Sequence, residues 1–157
     1  EVDYSADGRT ATIEIPRNGK LDVHCTYTNR LAPSITIGKK SYGGTGTFGF
    51  TTTGGHGLPA SFSITTGTAE VTAYSQAYLL SDVDATYTVS ETLDPAHWTL
   101  EELACSLNGA PLTGGIDLTG GTVTISGLEW GDVVGVFNLA HGWSCRCVRC
   151  RRRRSCT

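Results

Sequence analysis

The chain has 157 residues, is rich in glycine (20) and lacks methionine, and carries a formal charge of −3 at pH 7. That charge is unevenly laid out: all fifteen acidic residues and six of the basic ones precede His141, leaving that part at −9, while Arg146, Arg149 and Arg151 to Arg154 fall in the last dozen residues. An acidic body argues against nucleic acid or another polyanion as its partner, and no run approaches the roughly 20 apolar residues of a membrane-spanning helix.

In chain order, RLAPS over 30–34 reads as a junction, because proline ends a strand and stiffens the link that follows. Beyond it, Ile35 and Ile37 alternate with polar neighbours in SITIGK, Phe48 and Phe50 in TFGF, and Phe62 and Ile64 in SFSIT. Val71 marks a strand in AEVTAY, as do Tyr87 and Val89 in TYTVSE. After Pro95 come Trp98 and Leu100, then Val123 and Ile125, and last the run GDVVGVF. Between these lie the turn-formers SYGGTG, TTGGHGLP, SDVD, LDPA, LNGAPLTGG and LTGG. Period-two alternation broken by closely spaced turns predicts an all-β, antiparallel β-sandwich.

The chain also resembles itself. At a constant offset of 110, Ile13 meets Val123, Ile15 meets Ile125, Asp22 meets Asp132, Val23 meets Val133 and Tyr27 meets Phe137. A repeat of that length is a whole small domain, so tandem modules are expected. On this reading residues 1–32 are the closing strands of a truncated preceding repeat, 33–140 are one complete module, and 141–157 are an Arg/Cys-rich tail without order.

Three segments, SITIGK, YTVSETLDPAHW and GVFN, in that order, resemble the prealbumin-like repeat domains of bacterial surface proteins, the SpaA-like or Cna protein B-type modules. The shared pattern is a first-strand lysine after alternating apolar residues, a Y-x-(V/L)-x-E strand followed by a proline turn and an aromatic, and a last strand closing on asparagine. Lys39, Tyr87, Val89, Glu91, Pro95, Trp98 and Asn138 stand at the matching positions, and CTYTN supplies Asn29 in the first segment. The resemblance implies a prealbumin-like (immunoglobulin-like) sandwich. It also implies, as in many such modules, an intramolecular isopeptide bond between Lys39 and Asn138 assisted by Glu91.

The chemistry of that bond makes demands that strand parity can test. An amine is nucleophilic only when neutral, and burial favours the neutral form; a buried carboxylic acid can in turn donate to the asparagine carbonyl and carry protons as ammonia leaves. Lys39 shares a face with Ile35 and Ile37, and Glu91 with Tyr87 and Val89, so both are predicted to point inward. The plainer alternatives stay open: Lys39, next to Lys40, reads equally as a solvated edge charge, and Glu91 as a surface acid. Asn138 is harder to place, because at the offset of 110 it falls on Thr28 while Asn29 falls on Leu139. A one-residue slip turns a strand residue to the opposite face; either a deletion or bulge restores Asn138, or this module has lost the bond.

The same family pattern would set Cys105 opposite position 135, which is glycine, leaving Cys105 and Cys25 as unpaired thiols. In the tail, Cys145, Cys147, Cys150 and Cys156 follow no usual zinc spacing, and the adjacent arginines oppose a cation; charge alone would let it touch acidic polymers. His24, His56, His97 and His141 are scattered, with no nucleophile elbow or phosphate loop beside them. DVDATY over 82–87 has only part of a calcium loop's ligands. Tyr74, Tyr78 and Trp130 read either as half-buried sheet residues or as stacking platforms for sugars. The expected function is a non-catalytic spacer or stalk module, without cofactor or metal, in a secreted or cell-wall-attached bacterial surface protein, with neighbouring repeats of the same chain as its partners. The alternative is an adhesin module that contacts host protein or glycan through loops 53–60 or 76–85.

Overall fold

The computed structural model describes residues 2–4, 10–14, 17 and 22–142. In chain order the strands are Val2–Tyr4 (β1), Ala11–Ile13 (β2), Ser34–Tyr42 (β3), Thr47–Thr53 (β4), Ser61–Thr65 (β5), Ala73–Tyr74 (β6), Tyr78–Leu79 (β7), Tyr87–Thr92 (β8), Trp98–Leu107 (β9), Ala110–Leu112 (β10), Ile116–Asp117 (β11), Thr122–Ile125 (β12) and Val133–Gly142 (β13). There is no helix among the described residues. One sheet runs β10-β9-β13-β3-β6, with β7 also on β3; the other runs β11-β12-β8-β4-β5; β1 and β2 pair separately. Every pairing is antiparallel except that of β3 with β13, which run side by side in the same direction. The first and last strands of the sandwich are therefore neighbours in its middle.

Alternation builds the core. Ile35 and Ile37 from β3, Phe48 and Phe50 from β4, Tyr87 and Val89 from β8, Val123 and Ile125 from β12, and Val134 and Val136 from β13 are all buried. At roughly 25 cal/mol per Å² of apolar surface removed from water, these two facing layers are the main driving force for closure. Phe50 stacks on Phe62 at 5.1 Å, and Trp98 meets Phe48 edge-on at 4.9 Å. Pro33 is already part of the sandwich, since its carbonyl accepts the Leu80 N–H at 2.8 Å.

The all-β sandwich is what the turn spacing predicts, with three local differences. The strand in AEVTAY is confined to Ala73–Tyr74 (β6), while Val71 lies in no strand and is 56% exposed. Glu70, with φ of 68°, turns the chain there, and its N–H is taken by the Ser41 carbonyl at 2.8 Å. LNGAPLTGG is not all turn: Asn108 and Gly109 (φ 51° and 80°) form a two-residue hairpin, which brings Ala110–Leu112 back onto β9. The segment 22–33 contains no strand, although the similar 133–142 is β13. β13 owes its ladder to β3 and β9 on either side; 22–33 has no such flanking strands among the described residues. The zinc, disorder and charge readings of the tail lie outside the described residues.

Candidate functional site

Five polar or charged residues are buried in the sandwich: Lys39, Ser41, Thr66, Glu91 and Asn138. Two of them satisfy each other: Ser41 Oγ donates to the Gly44 carbonyl and accepts from Thr66 Oγ1 at 2.8 Å, and Thr66 Oγ1 accepts the Gly46 N–H at 3.1 Å. The other three form one cluster. Lys39 Nζ lies 2.5 Å from Glu91 Oε1, and Asn138 Nδ2 donates to Glu91 Oε2 at 3.1 Å.

Each side chain reaches the cluster by strand geometry. On β3 the inward set is Ile35, Ile37, Lys39 and Ser41, so Lys39 enters the core in phase and is 0% exposed. On β8 the inward set is Tyr87, Val89 and Glu91, which crosses from the opposite sheet. On β13 the inward set is Val134, Val136, Asn138 and Ala140. Lys39 and Asn138 are register partners across the parallel β3–β13 ladder, so the two residues lie side by side. On its other flank Asn138 is opposite Leu103 of β9.

The phase of Asn138 is regular. The one register irregularity of β13 with β9 falls between Leu139 and Ala140, after Asn138, so no bulge precedes it. Sliding the internal comparison by one residue sets Asn29 on Asn138 and Tyr27 on Val136, at the cost of the Asp22–Asp132 and Val23–Val133 matches.

The electrostatics are unusual. Transferring a charge into such a core costs several kcal/mol even after relaxation, and pairing returns this only where the remaining hydrogen-bonding capacity is used. Here Lys39 Nζ, Glu91 Oε1 and Asn138 Oδ1 have no hydrogen-bond partner of acceptable geometry, the 2.5 Å approach of amine to carboxylate included. Burial pushes the Lys39 amine below its usual 10.5, against the opposing pull of Glu91. The Phe48 ring, 4.4 Å from Nζ to its centroid, supplies the face against which the amine rests. Phe48 was legible as a core residue from TFGF, but nothing in the sequence marks it as the lysine's contact.

The remaining candidates lie elsewhere. Cys105 faces the core and pairs with Val136, whereas Gly135 pairs with Ser106. The expected opposition of Cys105 to position 135 is thus corrected by one residue, on the antiparallel β9–β13 register. Cys25 is exposed, and both thiols are free. His97 pairs locally with Asp94 at 2.6 Å, and His56 lies 3.6 Å from Asp82. Asp82 Oδ1 accepts the Asp84 N–H at 2.9 Å, so that carboxylate shapes the turn. Tyr78 is a core residue leaning on Phe62, while Tyr74 and Trp130 are 60% and 40% exposed.

A two-sheet antiparallel sandwich whose first and last strands lie side by side in one sheet defines a class of β-module. Residues 35–135 match the model of one such family, SpaA_4, described as a prealbumin-like fold domain, and the chain belongs to that family of surface-protein modules. No curated protein and no solved structure matches the chain.

Proposed function

We propose that this module is a non-catalytic spacer in an extracellular or wall-attached surface protein, and that it is locked by an isopeptide bond between Lys39 and Asn138. The observation that supports this most is the set of unpartnered atoms. Nζ, Oε1 and Oδ1 are the nucleophile, the proton carrier and the carbonyl oxygen that such a bond requires; all three are buried, with Nζ 2.5 Å from Oε1 and the Asn138 amide held on Oε2 through Nδ2. Glu91 takes a proton from the Lys39 ammonium; with the Asn138 amide turned so that Oδ1 rather than Nδ2 faces the carboxyl, the neutral amine attacks Cγ of Asn138 while the carboxylic acid donates to Oδ1. Glu91 then takes the second proton from the adduct nitrogen and passes it to Nδ2; as the Cγ–Nδ2 bond breaks and ammonia departs, the Oδ1 proton returns to Glu91, which ends as the neutral acid. One C–N bond is exchanged for another, with no oxidant or cofactor. Afterwards Glu91 accepts from the new amide N–H, and the buried charge pair is gone.

The test is the intact mass of the reduced full chain. The proposal requires a deficit of one ammonia that vanishes in Lys39→Ala, Glu91→Ala and Asn138→Ala; a full mass in the unaltered chain would reject it.

Adhesion is the second reading, favoured by the packing of loops 53–60 and 76–85 into one surface, where Ser81 N–H donates to the His56 carbonyl at 2.9 Å. Leu58 is buried and Gly57 presses on the Leu79 carbonyl, so cutting these loops would harm the fold. Substituting the exposed His56 and Asp84 separates binding from stability. Loss of adhesion to host cells with an unchanged melting temperature supports a binding surface; unchanged adhesion argues against it.

A further inference from the structure

Edge strands present unpaired backbone groups, and proteins usually blunt them with charge, proline, bulges or shortness. Most edges here are blunted: β6, β7 and β11 have two residues each, β10 has three including Pro111, and β1 and β2 have three. β5 differs, being five residues long, regularly paired on one side only, and without charge, proline or bulge. The hydrogen bonds that flank its ladder, Thr52 N–H to Ala60 O at 3.0 Å and Thr66 N–H to Gly46 O at 2.9 Å, fix the alternation. Residues 60, 62, 64 and 66 bond to β4, so Ser61, Ser63 and Thr65 aim N–H and C=O out of the sheet. All three are exposed, and those six groups have no partner among the described residues.

We infer that β5 is a self-association edge, through which two copies of this chain pair antiparallel about a two-fold axis at Ser63. Two features select a second copy as the occupant. The first is charge: from Tyr42 to Ala69 the sequence contains no Asp, Glu, Lys or Arg, so this edge is where two acidic bodies can approach without repulsion. The second is self-complementarity. With Ser63 opposite Ser63, the outward residues form hydrogen-bonded pairs 61/65, 63/63 and 65/61, which use all six free groups of each copy. Ser61 then faces Thr65 across the axis, the same kind of hydroxyl pair that this sheet already makes between Thr47 and Thr65 at 2.9 Å, and between Thr53 and Thr88 at 2.6 Å. Phe62 falls opposite Ile64 on the inner face, extending the apolar layer between copies. The pairing joins two sheets into one of ten strands, and it does not depend on the Lys39–Asn138 bond.

Sedimentation of the full chain under reducing conditions, from micromolar to millimolar, tests this. A concentration-dependent dimer is expected, abolished by Ser63→Pro, which removes an edge N–H that the fold does not use, and by Ser63→Lys, which sets two ammonium groups face to face. Ser63→Thr should retain it. In a mixed-isotope sample, an intermolecular NOE between Hα of Phe62 and Hα of Ile64 fixes the register. A monomer at every concentration overturns the inference, as does a dimer that survives both Ser63→Lys and Ser63→Pro, or NOEs that place another strand on β5. If Ser63→Pro fails to fold, Ser63→Lys and the NOE decide.

Discussion

Lys39 is the residue on which the site turns, because it is a full-length cation with no exposure and an unsatisfied amine. Its cost can be isolated in an Asn138→Ala background, where no bond can form. There, Lys39→Met leaves Glu91 buried without a counter-charge and should destabilise the fold by about 3–5 kcal/mol, while adding Glu91→Gln should return a large part of it; urea titration measures both. The pH dependence has a definite sign. Burial holds the Lys39 amine below 10.5, so between the lowered value and 10.5 the unfolded chain binds a proton that the folded chain does not. Stability must therefore rise with pH across that window, and the cost is fully present below it. Asn138→Ala should show this rise relative to Asn138→Ala/Lys39→Met, and a flat difference would contradict it. The two described thiols divide in the same way: Cys25 is exposed, whereas Cys105 is buried and pushed up by desolvation. Alkylation followed by peptide mapping should modify Cys25 in the native protein and Cys105 only as it unfolds.

At the scale of the elements, Gly57 holds the loop between β4 and β5 against the end of β7. Its φ is 102°, and a Cβ there would collide with the Leu79 carbonyl oxygen. Gly57→Ala should cost at least about 1–3 kcal/mol, read as a lower midpoint in thermal unfolding. Much of this layer was legible in advance. Period-two alternation in SITIGK and TYTVSE turns Lys39 and Glu91 inward by counting alone, because nothing irregular separates either residue from its apolar neighbours. Asn138 could not be placed that way. Both faces of GDVVGVFN are apolar, Val134 and Val136 carrying Asn138 inward and Val133 and Phe137 carrying it outward, and only the β3–β13 pairing, with Val134, Val136 and Asn138 buried, resolves it. That pairing is parallel, and alternation carries no information on which strands adjoin. β10 was hidden because Pro111 and the glycines around it read as turn, although Asn108–Gly109 is a hairpin signal. Val71 misled because apolar alternation cannot register the turn at Glu70.

For the whole molecule, the consequence lies in how force would travel. β3 and β13 run parallel in the centre of one sheet, so tension applied to the two ends of the sandwich shears their ladder. The proposed bond from Lys39 to Asn138 would join these strands midway and carry load from one end to the other around everything between. In single-molecule stretching, the chain from Lys39 to Asn138 should then contribute no extension, and Asn138→Ala should restore it. All of this rests on the covalent junction, which peptide mapping after digestion addresses most directly. The expected product is a branched peptide in which Lys39 resists trypsin and is joined to the Asn138 segment, one ammonia lighter than the two peptides together. Recovery of both peptides separate and at full mass from the folded protein would contradict it.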